Sequence, residues 1–441
     1  MQEFLKGENG YTEARQKTVW NARKPDRFPD VIVQAESDTD VIEAVRAART
    51  AGRGITVRSG GHSWGGHQLR DGVTLIDLSK LNSVVSVDKD AMIAVVEPGC
   101  YGNDALLALD ELDLFFPIGH CKGVGIGGFL LQGGFGWNGR ALGPSCMSVL
   151  AIDVVTADGD LVHASPSENP DLYWAARGSG PGFFGVVLRF HLRVHPKSHT
   201  IANGVFTYEL DVVEDVYTWL DEIGPKVGIE MELMALMHTG FDGHKEIAVT
   251  GPVFADSEDR AREVLSILET CPVLDRAKLA MPYLDANVPD MTAGVYMTYP
   301  DNHRYGVDNM WTHASASELM PGLKKIAETI KDAPTHMLWM NWAPDNPGTP
   351  ERPDMAFSVE DKTYIAAYGV WEDEANDADY ESWATDRMRE MEHLSTGIQL
   401  ADENLANRTA RFLSDENYAR YDSIRSTYDP DHVFQSWSSR P

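Results

Sequence analysis

Apolar residues along the first two hundred positions come in short bursts of strand length. The stretch 30–35 (Asp30-Val31-Ile32-Val33-Gln34-Ala35) reads as a strand, and so do 55–58, 74–78 and 92–97. Between the first two, Ser37 stands before a stripe of Val41, Ile42, Val45 and Ala48 at helical spacing. This predicts a capped helix to about Ala51 and a β-α-β opening. A second helix is expected over 102–112. Val149–Val155 and Leu161–His163 flank Ala157-Asp158-Gly159 and predict a hairpin. A strand over 185–194 follows.

Beyond Pro196 the pattern changes. Strand-like runs at 204–210, 229–237, 246–254, 295–298, 335–342 and 363–370 alternate with amphipathic helices. Those helices are expected over about 212–224, 257–270, 315–332 and 375–395. Strands and helices in this order predict an α+β unit, one antiparallel sheet covered by helices on one face. The tail from Asn417 to Tyr428 reads as a helix stopped at Asp429-Pro430.

The charge distribution supports a division of the chain. The 441 residues carry a formal charge of −29. Residues 1–200 hold 19 basic and 23 acidic side chains, whereas 201–400 hold 14 and 37. So acidic a surface repels phosphate backbones and argues against a nucleic-acid partner. Four cysteines (Cys100, Cys121, Cys146, Cys271) are too few and too scattered for a disulfide scaffold or a zinc site. The first residues lack a basic segment followed by an apolar one, and no apolar run reaches membrane-spanning length. A cytoplasmic protein without a membrane partner is therefore expected. Oligomeric state is left open.

Two glycine-rich segments carry the candidate chemistry. Arg58-Ser59-Gly60-Gly61-His62-Ser63 follows a strand, and paired glycines there let backbone N–H groups approach phosphate oxygens. An ordinary turn bearing an exposed histidine has the same local sequence. A metal held by His62 and His67 lacks further visible ligands, so no metal is expected. The second segment, 119–143, has ten glycines in 25 residues. Its formal GxGxxG (Gly123, Gly125, Gly128) continues into more glycine rather than into a clean helix. A second GxGxxG at Gly180, Gly182 and Gly185 runs into a strand. Neither is a dinucleotide-binding fingerprint in the required context. Cys121, taken alone, reads as a small buried hydrophobe.

Taken together, these motifs resemble the berberine bridge enzyme-like branch of the vanillyl-alcohol oxidase flavoproteins. R-S-G-G-H-S (58–63), D-L-S-K-L-N-S-V (77–84), G-H-C-K-G-V-G-I-G-G (119–128), G-G-F-G (133–136), V-V-T-A-D-G (154–159) and Asn169–Gly178 match in order and spacing, as does the tail from Asn417 to Phe434. The resemblance implies a two-domain PCMH/VAO-type FAD-binding fold. Its FAD domain would span 1–195 and be completed by 405–441, with a substrate domain over 196–404. It implies FAD bonded twice, through the 8α-methyl to His62 and through C6 to Cys121. Ser59, Gly60, Gly61 and Ser63 would lie along the pyrophosphate. Gly125, Gly128 and Val187 would approach the flavin or adenine by backbone, and Arg58 and Gly119 would belong to the same cofactor site. Val124 falls where relatives control dioxygen access to the flavin, and a small residue there accompanies oxidase behaviour.

The implied reaction is hydride transfer to flavin N5 from an alcohol, sugar or secondary-metabolite substrate, with O2 reduced to H2O2. Relatives carry a tyrosine base before the tail helix, but 397–407 contains no tyrosine. Gln399, Asp402 and Glu403 are the candidates for that role. Arg304, Tyr305, Trp311, Trp339, Asn341, Tyr364 and Tyr368 are candidates to contact substrate, because aromatic and polar side chains alternate along those strands. The alternatives are a flavin dehydrogenase with a non-oxygen acceptor and an FAD-binding protein that has lost its base.

Overall fold

A computed structural model describes residues 1–240 and 242–440. The first sheet contains β1 (Gln2–Leu5), β2 (Val31–Gln34), β3 (Ile55–Arg58) and β4 (Thr74–Asp77) in the order β1-β2-β4-β3. β4 lies between β2 and β3 and is parallel to both, and the helix Asp38–Thr50 makes the crossover. That helix starts as expected, with the Ser37 hydroxyl accepting from the Asp40 N–H. The second sheet is β5 (Val84–Asp88), β6 (Ile93–Val96), β8 (Val149–Val155), β9 (Leu161–Ala164) and β10 (Val186–Arg193), in the order β5-β6-β10-β8-β9. A small ribbon joins β7 (Leu114–Phe115) to β11 (His195–Pro196). One core runs through this lobe, and the tail returns to it: Tyr421, Ile424, Val433 and Phe434 are buried there. The Ile55 N–H donates to the Val433 carbonyl and the Gln435 N–H donates to the Ile55 carbonyl, which stitches the tail to β3.

The third sheet is the largest. It comprises β12 (Thr200–Glu209), β13 (Met234–Thr239), β14 (Lys245–Thr250), β15 (Val253–Ala255), β16 (Leu279–Asp285), β17 (Arg304–Thr312), β18 (His336–Asn341) and β19 (Thr363–Trp371). The order is β15-β12-β14-β13-β18-β19-β17, with β16 also on β12, and every pairing is antiparallel. Helices Val213–Ile223, Glu258–Leu265, Ala316–Thr329 and Asp377–Glu390 cover one face. The opposite face looks toward the first lobe. β19 is buried on both faces, which explains its unbroken apolar run in place of an alternation. No helix among the described residues is long and apolar enough to cross a membrane.

Several expectations are corrected. The run 295–298 is not a strand: Asn287 caps a helix over Val288–Val295 with Pro289 in its first turn, and turns follow. β16 and β17 escaped sequence analysis. The expected strand 246–254 is two strands, because Pro252 has no N–H to continue the ladder. The expected strand at 229–237 begins only at Met234. A six-residue helix, Ile126–Leu131, does follow the first GxGxxG.

The segment that crosses from the large sheet to the tail is held by a buried ion pair. The Arg408 guanidinium donates to both carboxylate oxygens of Asp308 on β17 and to the Asn309 carbonyl, with side-chain exposures of 4% and 1% for Arg408 and Asp308. Removing one partner leaves a buried charge alone. Asp308→Ala is therefore expected to destabilise the protein by about 3–5 kcal/mol in urea unfolding, and Asp308→Ala with Arg408→Met to recover most of that loss. Equal destabilisation in the single and double variants would show that the pair does not act as a unit.

Candidate functional site

Between the two lobes lies a cavity of about 580 Å³. Its first wall is the loop leaving β3. Arg58 is buried and donates to Asp77 Oδ1 at 3.0 Å and to the Gly60 carbonyl at 3.2 Å, which sets the turn. Gly60 packs backbone to backbone on Gly125: a Cβ at Gly60 would lie 2.4 Å from the Gly125 nitrogen. The two glycine-rich segments can meet only because neither residue has a side chain. Gly61 accepts from the Trp20 N–H at 2.9 Å, and the Trp20 ring stacks on His62 at 4.6 Å. Burial first, and Arg58 second, push the His62 imidazole down to about 4, so it is neutral at pH 7. Cys121 lines the same cavity. Burial, and after it the Asp402 carboxylate, push its thiol up, so it stays protonated.

Arg58, Ser59, Gly60, Gly61, His62, Ser63, Gly119, Val124, Gly125, Gly128 and Val187 all line this cavity. At Gly128 a Cβ would meet nothing within 4 Å, so that stretch of wall is bare backbone facing open space. Tail residues Phe434, Gln435 and Ser436 close one end.

The large sheet forms the opposite wall, and its pleat decides which residues reach it. Met234 and Leu236 on β13, Leu338 and Met340 on β18, and Tyr364 and Tyr368 on β19 face the cavity. Ala235, Met337, Trp339, Ile365 and Ala367 point into the helix-covered core instead. Sequence reasoning chose Trp339 and Asn341, which are one residue out of step on β18. Trp339 sits against Tyr217, and the Asn341 amide lies by Gly224. Arg304 is not a wall residue either: it makes a bidentate ion pair with Asp377. Tyr305 and Trp311 lie behind the wall, Tyr305 against Trp20 and Trp64 and Trp311 against Phe135 and Tyr364. Tyr299, Met234, Leu236, Leu338 and Met340 were missed. The signal of the four on β13 and β18 is the period of two, legible only once the register is known, whereas Tyr299 lies in turns and has no such signal.

Asp402 is the centre of the polar part. Its carboxylate accepts from Trp64 Nε1 at 2.7 Å, from the Tyr368 hydroxyl at 2.8 Å and from the Tyr364 hydroxyl. Asn309 clamps the turn that carries it, donating to the Gln399 and Asp402 carbonyls and accepting from the Gln399 N–H. Burial holds the Asp402 carboxyl above the usual carboxylate range, although its three donors pull it down. The same burial raises Tyr364 and Tyr368 well above the ordinary phenol value. Gln399 lines the cavity. Glu403 does not: it pairs with His67 and accepts from the Leu405 N–H. β19 thus places two tyrosine hydroxyls on Asp402, whereas 397–407 has none. His120, beside Cys121, reaches across to Glu232 with Nε2 3.1 Å from Oε2.

Residues 29–165 match the family of FAD-binding domains. The FAD-linked oxidoreductase nodO of Hypoxylon pulicicidum is 32% identical over 432 residues, spanning 96% of this chain and 93% of that protein. An uncharacterized FAD-linked oxidoreductase of Bacillus subtilis, YvdP, is 26% identical over 99% of this chain and 97% of its own length. Among solved structures, 6-hydroxy-D-nicotine oxidase from Arthrobacter nicotinovorans superposes with a TM-score of 0.84 at 20% identity, covering 99% of this chain and 97% of that one. Physcomitrella patens BBE-like 1 gives the same score and identity over 99% and 96%. With its glycine-lined cavity and two-lobed architecture, the chain belongs to the FAD-linked oxidoreductases and has the berberine bridge enzyme-like fold of the vanillyl-alcohol oxidase superfamily.

Proposed function

We propose that this oxidoreductase is an oxidase acting on a carbon that bears a hydroxyl or amine in a bulky, largely apolar substrate. One observation carries the reading: the Asp402–Tyr364–Tyr368 cluster shares a single cavity with the glycine segments that bear His62 and Cys121. The bare backbone at Gly128, the glycine-to-glycine contact at Gly60 and the buried, partnerless Nε of Arg58 fit a large phosphorylated group such as FAD. FAD bound there supplies the two-electron acceptor.

The residues of this chain hold and deprotonate. His62, neutral and half-buried, presents a free ring nitrogen as one covalent anchor, and Cys121 is the second. Tyr364 or Tyr368 takes the substrate's hydroxyl proton as it passes its own to Asp402, so one proton leaves with one hydride. The raised affinity of Asp402 for a proton makes it the better acceptor. The sheet wall of Met234, Leu236, Leu338, Met340 and Tyr299 excludes water and offers apolar and aromatic surface to rings. Among the described residues the sheet wall has no charged side chain of its own and Asp402 stands beside it, which suits a neutral or cationic substrate. Dioxygen as the final acceptor is supported by Val124 on the cavity wall. Wild-type Phl p 4.0202 of the same fold is a glucose dehydrogenase, whereas an isoleucine-to-valine variant of Phl p 4 is a glucose oxidase.

Acid-precipitated protein is expected to keep its yellow colour. Each of His62→Ala and Cys121→Ala leaves one bond, and only the double variant releases the pigment; colour retained by the double variant would reject the two anchors. Air is expected to reoxidise the reduced protein as readily as a dye does. Slow reoxidation in air with fast reoxidation by dye would assign a dehydrogenase instead.

Asp402→Asn is expected to lower kcat by roughly 10²- to 10⁴-fold, read in steady-state turnover of a substrate found by flavin bleaching. It should also raise stability at neutral pH. Asp402 folds with a raised pKa, so its ionised form costs more in the folded state than in the unfolded one. The stability gap between variant and wild type opens as pH climbs from the unfolded value, about 3.9, through the raised folded one, and it closes below. Thermal melts across pH test this, and a gap that widens in acid would contradict it.

A further inference from the structure

Three side chains converge on the outer face of the second sheet, on the side away from the core. Asp153 on β8 stands opposite His163 on β9, its cross-strand partner. His191 on β10 pairs with Ala151 and so lies diagonal to Asp153. The β8–β10 register shifts on both sides of the Arg189–His191 stretch, and such shifts re-aim side chains locally. The outcome is that His163 Nδ1 lies 2.7 Å from Asp153 Oδ1 and His191 Nε2 lies 3.0 Å from Oδ2. One ligand atom from each residue falls within 4.8 Å of the others.

We propose that Asp153, His163 and His191 bind one borderline divalent transition-metal ion of the zinc class. Two imidazoles and one carboxylate are the donor set such ions prefer, whereas calcium and magnesium favour all-oxygen sites. Small side-chain rotations bring the three atoms onto a single ion with bonds of about 2.0–2.2 Å. The three side chains are 29%, 40% and 27% exposed, so an ion can enter and water can fill the remaining positions. The backbones beneath are adjacent strands of a sheet whose other face is core, which makes the site rigid. Arg189, the neighbour of Asp153 across β10, is turned away from it and pairs with Asp38 at 3.2 Å and Glu97 at 3.4 Å.

The ion fastens β8, β9 and β10 together from outside. Phe190, next to His191 on β10, lines the central cavity. Metal binding therefore stiffens that wall without touching the reacting groups.

The test uses the full-length, untagged, flavin-loaded protein dialysed free of metal and titrated with zinc chloride. One zinc per chain is expected by calorimetry and by elemental analysis after gel filtration, with a thermal midpoint that rises with zinc. His163→Ala with His191→Ala should abolish both effects, and Asp153→Asn, which removes the anionic ligand, should weaken binding. Magnesium should give neither effect. Flavin content and circular dichroism establish that the variants are folded. The proposal is overturned if the unmodified protein shows no saturable zinc binding. It is equally overturned if the double variant binds zinc as the wild type does, or if magnesium shifts the midpoint as zinc does.

Discussion

A carboxylate taken out of water either gathers donors around it or gives up its charge. Asp402 gathers three, and they come from distant parts of the chain: Trp64 from the loop after β3, and Tyr364 and Tyr368 from one strand of the large sheet. The cluster therefore exists only when both lobes and the crossing segment are in place. Asn309 and the Asp308–Arg408 pair hold that segment to β17, so the position of one side chain depends on an ion pair several residues further on. Burial also tunes the group: the desolvation that costs stability raises its proton affinity.

The opposite side of the cavity is organised by the absence of side chains. Gly60 and Gly125 touch through backbone, and that contact brings the His62 loop and the Cys121 segment to one space. Trp20 then fixes His62 by stacking, and Trp64 extends from the same loop to Asp402. A single tight turn thus feeds both the glycine-lined wall and the Asp402 cluster.

Much of this was legible in the sequence. The β-α-β opening, the hairpin at 149–164 and the four helices on the large sheet follow from apolar period and caps, and they occur where local pattern is strong. The glycine segments with His62 and Cys121 were legible for the same reason. What sequence reasoning lost depends on register. Trp339 and Asn341 were chosen where Leu338 and Met340 face the cavity, since a shift of one residue reverses a strand's faces. The strand at 304–312 escaped because its apolar residues are broken by Asp308 and Asn309, whose partners lie about ninety positions or more away. Tyr364 and Tyr368 were recognised as aromatic candidates, but their link to Asp402 spans 38 and 34 residues and leaves no local trace. The Asp153–His163–His191 group is invisible for a like reason, being spread over three strands whose alignment only the fold provides.

The large sheet assigns neighbouring residues to separate tasks. Positions 338, 340, 364 and 368 meet the cavity, and 337, 339, 365 and 367 meet the helices. Positions 338 and 340 carry no hydrogen bond to Asp402, so selection can exchange them for new ring systems while Tyr364 and Tyr368 stay on Asp402 and the second set keeps the helices packed. A lineage built on this sheet can diversify its chemistry by substitution at alternate codons of a few strands, without first having to evolve spare folding free energy.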